Sequence, residues 1–176
     1  MKLFRNLRLR WNAYMLKQRL KQLKVERSSI RYEKAKRIGI LFDATNLDNQ
    51  VFVQNYVQMM RKSGKQVTIL AYVDDAQEHN NLPFKYYNQK DLNWYEHPSS
   101  DDVNQFMETP FDILISLHIH HVLSLEHISA LSHAKMRVGK YDDTKIHCYD
   151  LMIDNANNDN LQHFIQQVDK HLKIMK

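Results

Sequence analysis

The chain has 176 residues, 43% of them apolar, and one cysteine, so one domain plus an arm can form a core without disulfide staples, and a reducing, cytoplasmic setting is expected. Residues 1–37 hold 13 of the 25 Lys and Arg residues but only Glu26 and Glu33 as acids, a net of +11, against −6 for residues 38–176. A basic arm on an acidic body implies an anionic partner, or a dock on the body itself.

Met1–Lys17 is interrupted by Lys2, Arg5, Arg8 and Arg10, so it is not expected to act as a secretory signal, and no run of about 18 apolar residues exists to span a membrane. Residues 2–27 contain no Gly or Pro and read as helix. On a wheel of about 100° per residue, Leu3, Phe4, Leu7, Trp11, Tyr14 and Met15 share one stripe, while Leu16, Leu20 and Leu23 lie nearly opposite. The helix therefore touches two different things, or it is two helices. Ser28-Ser29 is a break, and Arg31–Arg37 is a charged connector.

Ile38–Phe42 is an apolar run typical of a buried parallel strand, ending at the polar loop Asp43–Asn46. Leu47–Lys62 reads as helix with Gly64 as its left-handed stop, and Gln66–Val73 as a second strand ending at Asp74-Asp75. Phe84–Tyr87 and Leu92–Tyr95 read as short strands. Asp101–Glu108 is a helix with an acidic first turn, stopped by Pro110. Phe111–Leu117 is the clearest buried strand. His118–His121 is a turn, Ser124 caps a helix to Ala134, and Met136–Val138 is a strand ending at Gly139-Lys140. His147–Ile153 reads as the last strand. The loop Asn155–Asn160 caps a helix over Leu161–Met175, whose apolar residues keep an i, i+3, i+4, i+7 stripe.

Strands alternating with helices over short loops predict a three-layer α/β domain at residues 38–176. It is Rossmann-like or flavodoxin-like, with a parallel five-stranded core sheet, preceded by a basic helical arm at 1–37. Only Gly39, Gly64 and Gly139 are present, so neither a Walker loop nor a G-x-G-x-x-G turn can form, which excludes the common ATPases, kinases and nicotinamide dehydrogenases. The stretches RIGILFDAT, KDLNWY, FDILISL, ISALSHAKMRVG and YDLMID resemble a small family of uncharacterised α/β proteins from Bacteroidota-type bacteria. The likeness covers most of residues 37–175. It implies a soluble cytoplasmic protein and brings no activity and no functional residues.

In open α/β sheets ligands sit beyond the carboxyl ends of the strands. The residues expected there are Asp43, Thr45 and Asn46; Asp74 and Asp75; His118, His120 and His121; Gly139 and Lys140; Asp154 and Asn155. Carboxylates such as Asp43, Asp74 and Asp75 on neighbouring strands offer the hard oxygens that Mg²⁺ prefers, with Thr45 or Lys140 meeting a phosphate. The same residue types also cap helices and close turns without any ligand. His118 and His120 would point to one side of an extended chain, but zinc needs further ligands, and spacing does not select His147 or Asp112 for the task. Cys148 reads as a small buried hydrophobe, and Trp94-Tyr95 and Tyr86-Tyr87 as core aromatics or a base-stacking patch.

The arm is the dominant feature. Lys2, Arg5, Arg8, Arg10, Lys17, Arg19, Lys21, Lys24 and Arg27 suit RNA or a ribosome-like polyanion. The apolar stripe with cationic flanks suits an anionic membrane surface. An exposed Trp11 also suits docking on the body or on a partner subunit, a second copy of the chain included. The leading expectation is a non-enzymatic adaptor gripping RNA or another polyanion. The alternative is a small phosphate- or nucleotide-handling enzyme with a Mg-binding carboxylate rim.

Overall fold

A computed structural model describes residues 2–156 and 158–175, with side chains from Asn6 onward. Six strands form one parallel sheet: β1 Arg37–Asp43, β2 Gln66–Val73, β3 Lys85–Asn88, β4 Ile113–Leu117, β5 Met136–Lys140 and β6 Leu151–Ile153. Their order is β3-β2-β1-β4-β5-β6, the Rossmann arrangement, with the chain running outward in both directions from β1. Helices α1 Lys2–Gln22, α2 Leu47–Lys62, α3 Asp101–Glu108, α4 Leu123–Leu131 and α5 Leu161–Ile174 cover both faces. The three-layer α/β expectation holds, with six strands rather than five.

Alternation along the central strands builds two cores. Ile38, Ile40 and Phe42 of β1 and Ile113, Ile115 and Leu117 of β4 face α2 and α5, meeting Val53, Val57, Phe164 and Val168. Leu41, Leu70 and Leu114 point the other way, onto Phe106 of α3, Ile128 of α4 and Leu16 of α1. The N-terminal helix is thus one of three helices on this second face.

Local chemistry explains several boundaries. The Asn46 side chain accepts a hydrogen bond from the Asp48 amide and starts α2, while Gly64 takes φ +84° beyond its end. Asn160 caps α5 through the His163 amide. A Cβ at Gly139 would overlap the Tyr149 ring, so only glycine lets β5 lie against that side chain.

Four local expectations are corrected. The first helix ends at Gln22, not residue 27, because the chain then extends until the Ser28 amide reaches the Lys135 carbonyl beside β5. Leu92–Tyr95 is not a strand. It forms turns around Asn93, whose side chain accepts from the Tyr95 and His97 amides, with one isolated bridge from Leu92 to Pro98. Ser124 does not cap α4: the helix starts after Val122, and the Ser124 hydroxyl is buried against the Tyr87 hydroxyl; the helix stops at Leu131, short of Ala134. The last strand contains only Leu151–Ile153. Residues 147–150 are loop, in which Cys148 is buried and its carbonyl accepts from the Ser129 hydroxyl.

Candidate functional site

At the carboxyl edge of the sheet, where the chain turns opposite ways from β1, lies a crevice of about 560 Å³. Its walls include Asp43 from β1, Tyr72 and Asp74 from the end of β2, Trp94 and Glu96 from the loop after β3, and His120 and His121 after β4. Arg8 of α1 closes one side and pairs with Glu96 at 2.5 Å.

Of the carboxylates expected to act together, Asp43 and Asp74 share this crevice. The Oδ1 of Asp43 accepts from the Thr45 amide at 2.9 Å. The Oδ1 of Asp74 accepts from the Tyr72 hydroxyl at 2.8 Å and from Gln89 Nε2 at 3.0 Å, and its amide donates to Thr45 Oγ1. Burial and the Asp74 carboxylate push the Tyr72 phenol upward. Asp75 is occupied elsewhere, accepting from the Gln77 amide at 3.0 Å and bonding His79 Nε2 at 2.8 Å. The Gln77 amide, ahead of His79, holds its carboxyl below the usual range. Lys140 donates to the Ile119 carbonyl at 3.0 Å, in a separate hollow of about 100 Å³.

Two of the three histidines are accounted for by their own contacts, and His120 is exposed at the crevice wall. His118 is buried, with Nδ1 against the His120 carbonyl at 2.9 Å and Nε2 against the Tyr149 hydroxyl at 3.1 Å. Burial lowers its pKa. His121 Nδ1 meets the buried Glu126 carboxylate at 2.6 Å, and Lys145 Nζ reaches the same carboxylate at 2.5 Å. Asp112 lies at the opposite, amino edge. There its Oδ2 accepts from the Lys36 and Arg37 amides and its Oδ1 from Lys135. Burial raises its pKa, but the Arg37 amide, Lys135 and the Lys36 amide outweigh that and hold it at about 2. It therefore cannot join His118 around a metal. Among the described residues no three His, Cys, Asp or Glu side chains form a metal-holding group.

The electrostatics of the rim oppose an anionic ligand. A further hollow over the start of α2 is bordered by Asp43, Asp48 and Asp159 and, among the described residues, by no Lys or Arg. A helix N-terminus favours a phosphate. Here its first turn already carries Asp48, and like charges on the rim repel a second anion.

The N-terminal helix is docked by one face and open on the other. Asn12 is buried and donates to the Tyr95 carbonyl at 2.6 Å; Leu16 is buried in the second core, with Leu20 packed beside it. Arg19 bonds His97, whose ring lies 4.6 Å from that of buried His127. Burial, then the Arg19 charge, lowers His97 to about 4; burial and the charges of His97 and Arg19 lower His127 to about 3. Past the helix, Arg27 donates to the Ala134 and Ala130 carbonyls, and burial together with the Arg137 charge brings its pKa down to about 10. Arg8, Arg19 and Arg27, expected to grip a polyanion, therefore tether the helix to the body.

The outward cations are Arg10, Lys17, Lys21 and Lys24, exposed and with no ion pair among the described residues. The Lys2 and Arg5 side chains lie outside the described residues. Beside these cations Leu7, Trp11 and Tyr14 are 56%, 44% and 54% exposed, and Trp94 joins them from the body at 57%. Trp11 packs on Tyr14 and on Trp94, with ring centroids 5.9 and 6.1 Å apart. Just after Trp94 the loop passes through Glu96, whose φ of +62° lies in the left-handed region.

Reasoning from sequence misses the Trp94–Trp11 contact and the His97–His127 pair, because long-range neighbours leave no periodic trace. The split between the Trp11 and Leu16 stripes was the usable signal, and it marks the exposed and docked faces.

The model of a family of unknown function, DUF6913, matches residues 8–175, so the chain belongs to that family. The match takes in most of α1 together with the α/β body. No curated protein matches the chain.

Proposed function

We propose that this family member is a binding module, not an enzyme, and that the outward face of α1 attaches it to a polyanion. The observation that carries this reading is the row of Arg10, Lys17 and Lys21 on a helix that has no acidic residue anywhere from Lys2 to Gln22. Exposed cations without local partners keep their charge available to phosphates, and releasing the counterions of a polyanion drives binding. Tethering by Arg8, Asn12 and Leu16 holds the row fixed on a folded scaffold. RNA and an anionic membrane both fit at this level, and a cytoplasmic, bacterial setting belongs to the same proposal.

The alternative, a Mg-dependent enzyme acting on phosphates through Asp43 and Asp74, draws support from the shared crevice alone. Against it, Asp43 and Asp74 already accept hydrogen bonds from the Thr45 amide and from Tyr72 and Gln89, and among the described residues no third His, Cys, Asp or Glu joins them in a metal-holding group.

Retention on immobilised heparin tests the proposal. The intact chain is expected to bind and to elute as salt rises, and the triple variant Arg10→Glu, Lys17→Glu, Lys21→Glu to pass through. Equal retention of the two would remove the reading.

A further inference from the structure

We propose that the polyanion is an anionic lipid surface, and that α1 lies against it with Leu7, Trp11, Tyr14 and Trp94 entering the interface. This inference rests on the polyanion reading above and narrows it to one partner.

The first ground is the shape of the exposed face. At about 100° per residue, Leu7, Trp11 and Tyr14 fall within one narrow sector, Arg10, Lys17 and Lys21 border it, and the docked residues Asn12, Leu16 and Leu20 lie opposite. The apolar and cationic groups therefore meet a flat partner together. That combination is what an in-plane helix presents to lipid: aromatic and aliphatic groups at the headgroup boundary, cations against anionic headgroups. Glu96, on the body beside the helix, is paired with Arg8 and does not oppose the approach. Among the described residues no helix is long and apolar enough to cross a membrane, so the contact is with the surface.

The second ground separates lipid from RNA. A base-stacking platform needs a free, flat ring face. Here each ring already has aromatic neighbours at a tilt. Trp11 meets Tyr14 at 43° and Trp94 at 33°, and Trp94 meets Tyr95 edge-on at 82°. Leu7 offers no π-face at all. Tilted, mutually packed Trp and Tyr rings with an aliphatic neighbour suit a headgroup boundary, where one end of each ring is wet and the other is not.

The test uses the full chain with phosphatidylcholine vesicles, vesicles containing phosphatidylglycerol, and a single-stranded RNA oligonucleotide. Co-sedimentation is compared for the wild type and for Trp11→Gln with Trp94→Gln, both at exposed positions, with circular dichroism checking the fold. The wild type is expected to sediment with the anionic vesicles only, with a blue shift of tryptophan emission. The double variant should lose roughly tenfold in vesicle partitioning through lost apolar contact while keeping its heparin retention. Heparin retention without vesicle binding, or unchanged partitioning of the double variant, would overturn the lipid inference and leave the polyanion reading standing. RNA binding that is tighter than vesicle binding and lost in the double variant would also overturn it, with RNA as the partner. Loss of both heparin and vesicle binding by the wild type would remove both readings.

Discussion

The two faces of α1 carry the same residue types to opposite ends. Inward, Leu16 and Leu20 join the second core and Asn12 satisfies the Tyr95 carbonyl. Outward, Leu7, Trp11 and Tyr14 remain in solvent beside Arg10 and Lys17. Apolar area removed from water stabilises the fold at about 25 cal/mol per Å², so the inward face is a structural device. Apolar area left in water adds nothing to the monomer's stability and is free to meet a partner. The comparison teaches that one helix can be a layer of the domain on one side and, on the other, the surface proposed above for attachment.

The largest effect should come from breaking the inward face. Leu16→Ala is expected to lower unfolding free energy by about 2–4 kcal/mol, through lost transfer energy and the cavity left against α4. Urea unfolding followed by circular dichroism measures it. A loss near zero would mean that the helix is not part of the cooperative unit.

The histidines under the helix sharpen the same face. His97 and His127 are held neutral, at about 4 and about 3, by burial first and by the Arg19 charge beside them. In the unfolded chain a histidine titrates near 6.5. Between these values the unfolded state binds more protons, so stability is full above about pH 6.5. It falls as pH drops toward 4, by up to about 1.4 kcal/mol per pH unit for each histidine. Urea midpoints at successive pH values should show this slope, and His127→Gln should flatten it. An unchanged slope in the variant would place the acid sensitivity elsewhere.

The outward face should behave in the opposite way. Trp11→Gln is expected to change unfolding free energy by no more than about 0.5–1 kcal/mol, the small effect typical of exposed sites plus its aromatic contacts. A loss as large as that of Leu16→Ala would contradict the assignment of the two faces. The smallest effect belongs to Cys148, buried in the loop before β6. Burial, ahead of the Glu126 charge, pushes its thiol to about 12, so a thiol reagent should label it only after urea is added.

Much of this architecture was legible along the chain. Ile38–Phe42 and Ile113–Ile115 are apolar without interruption because helices cover both sides of the strands, and that pattern gives away a parallel sheet. The switch from the Trp11 stripe to the Leu16 stripe marked a helix with two environments. The pattern misled where burial came without a strand. Cys148 and Tyr149 are apolar and sealed in, but a loop holds them there, through Ser129 and through the room Gly139 leaves for the Tyr149 ring. Leu92–Tyr95 looked like a strand because aromatic residues favour strands, yet Asn93 turns the chain and leaves Trp94 outside. Which cations face outward was hidden for a different reason. Arg8 and Arg10 are indistinguishable by composition, and only the position of Glu96 in space assigns one to tethering and the other to solvent.

The most direct measurement is the salt dependence of heparin binding, for the wild type and for a chain with Arg10→Gln, Lys17→Gln and Lys21→Gln. Each lost phosphate-type contact reduces the slope of log K against log salt by about one, so the triple variant should lose about three while unfolding at the same urea concentration. An unchanged slope and affinity would show that α1's outward face does not grip a polyanion.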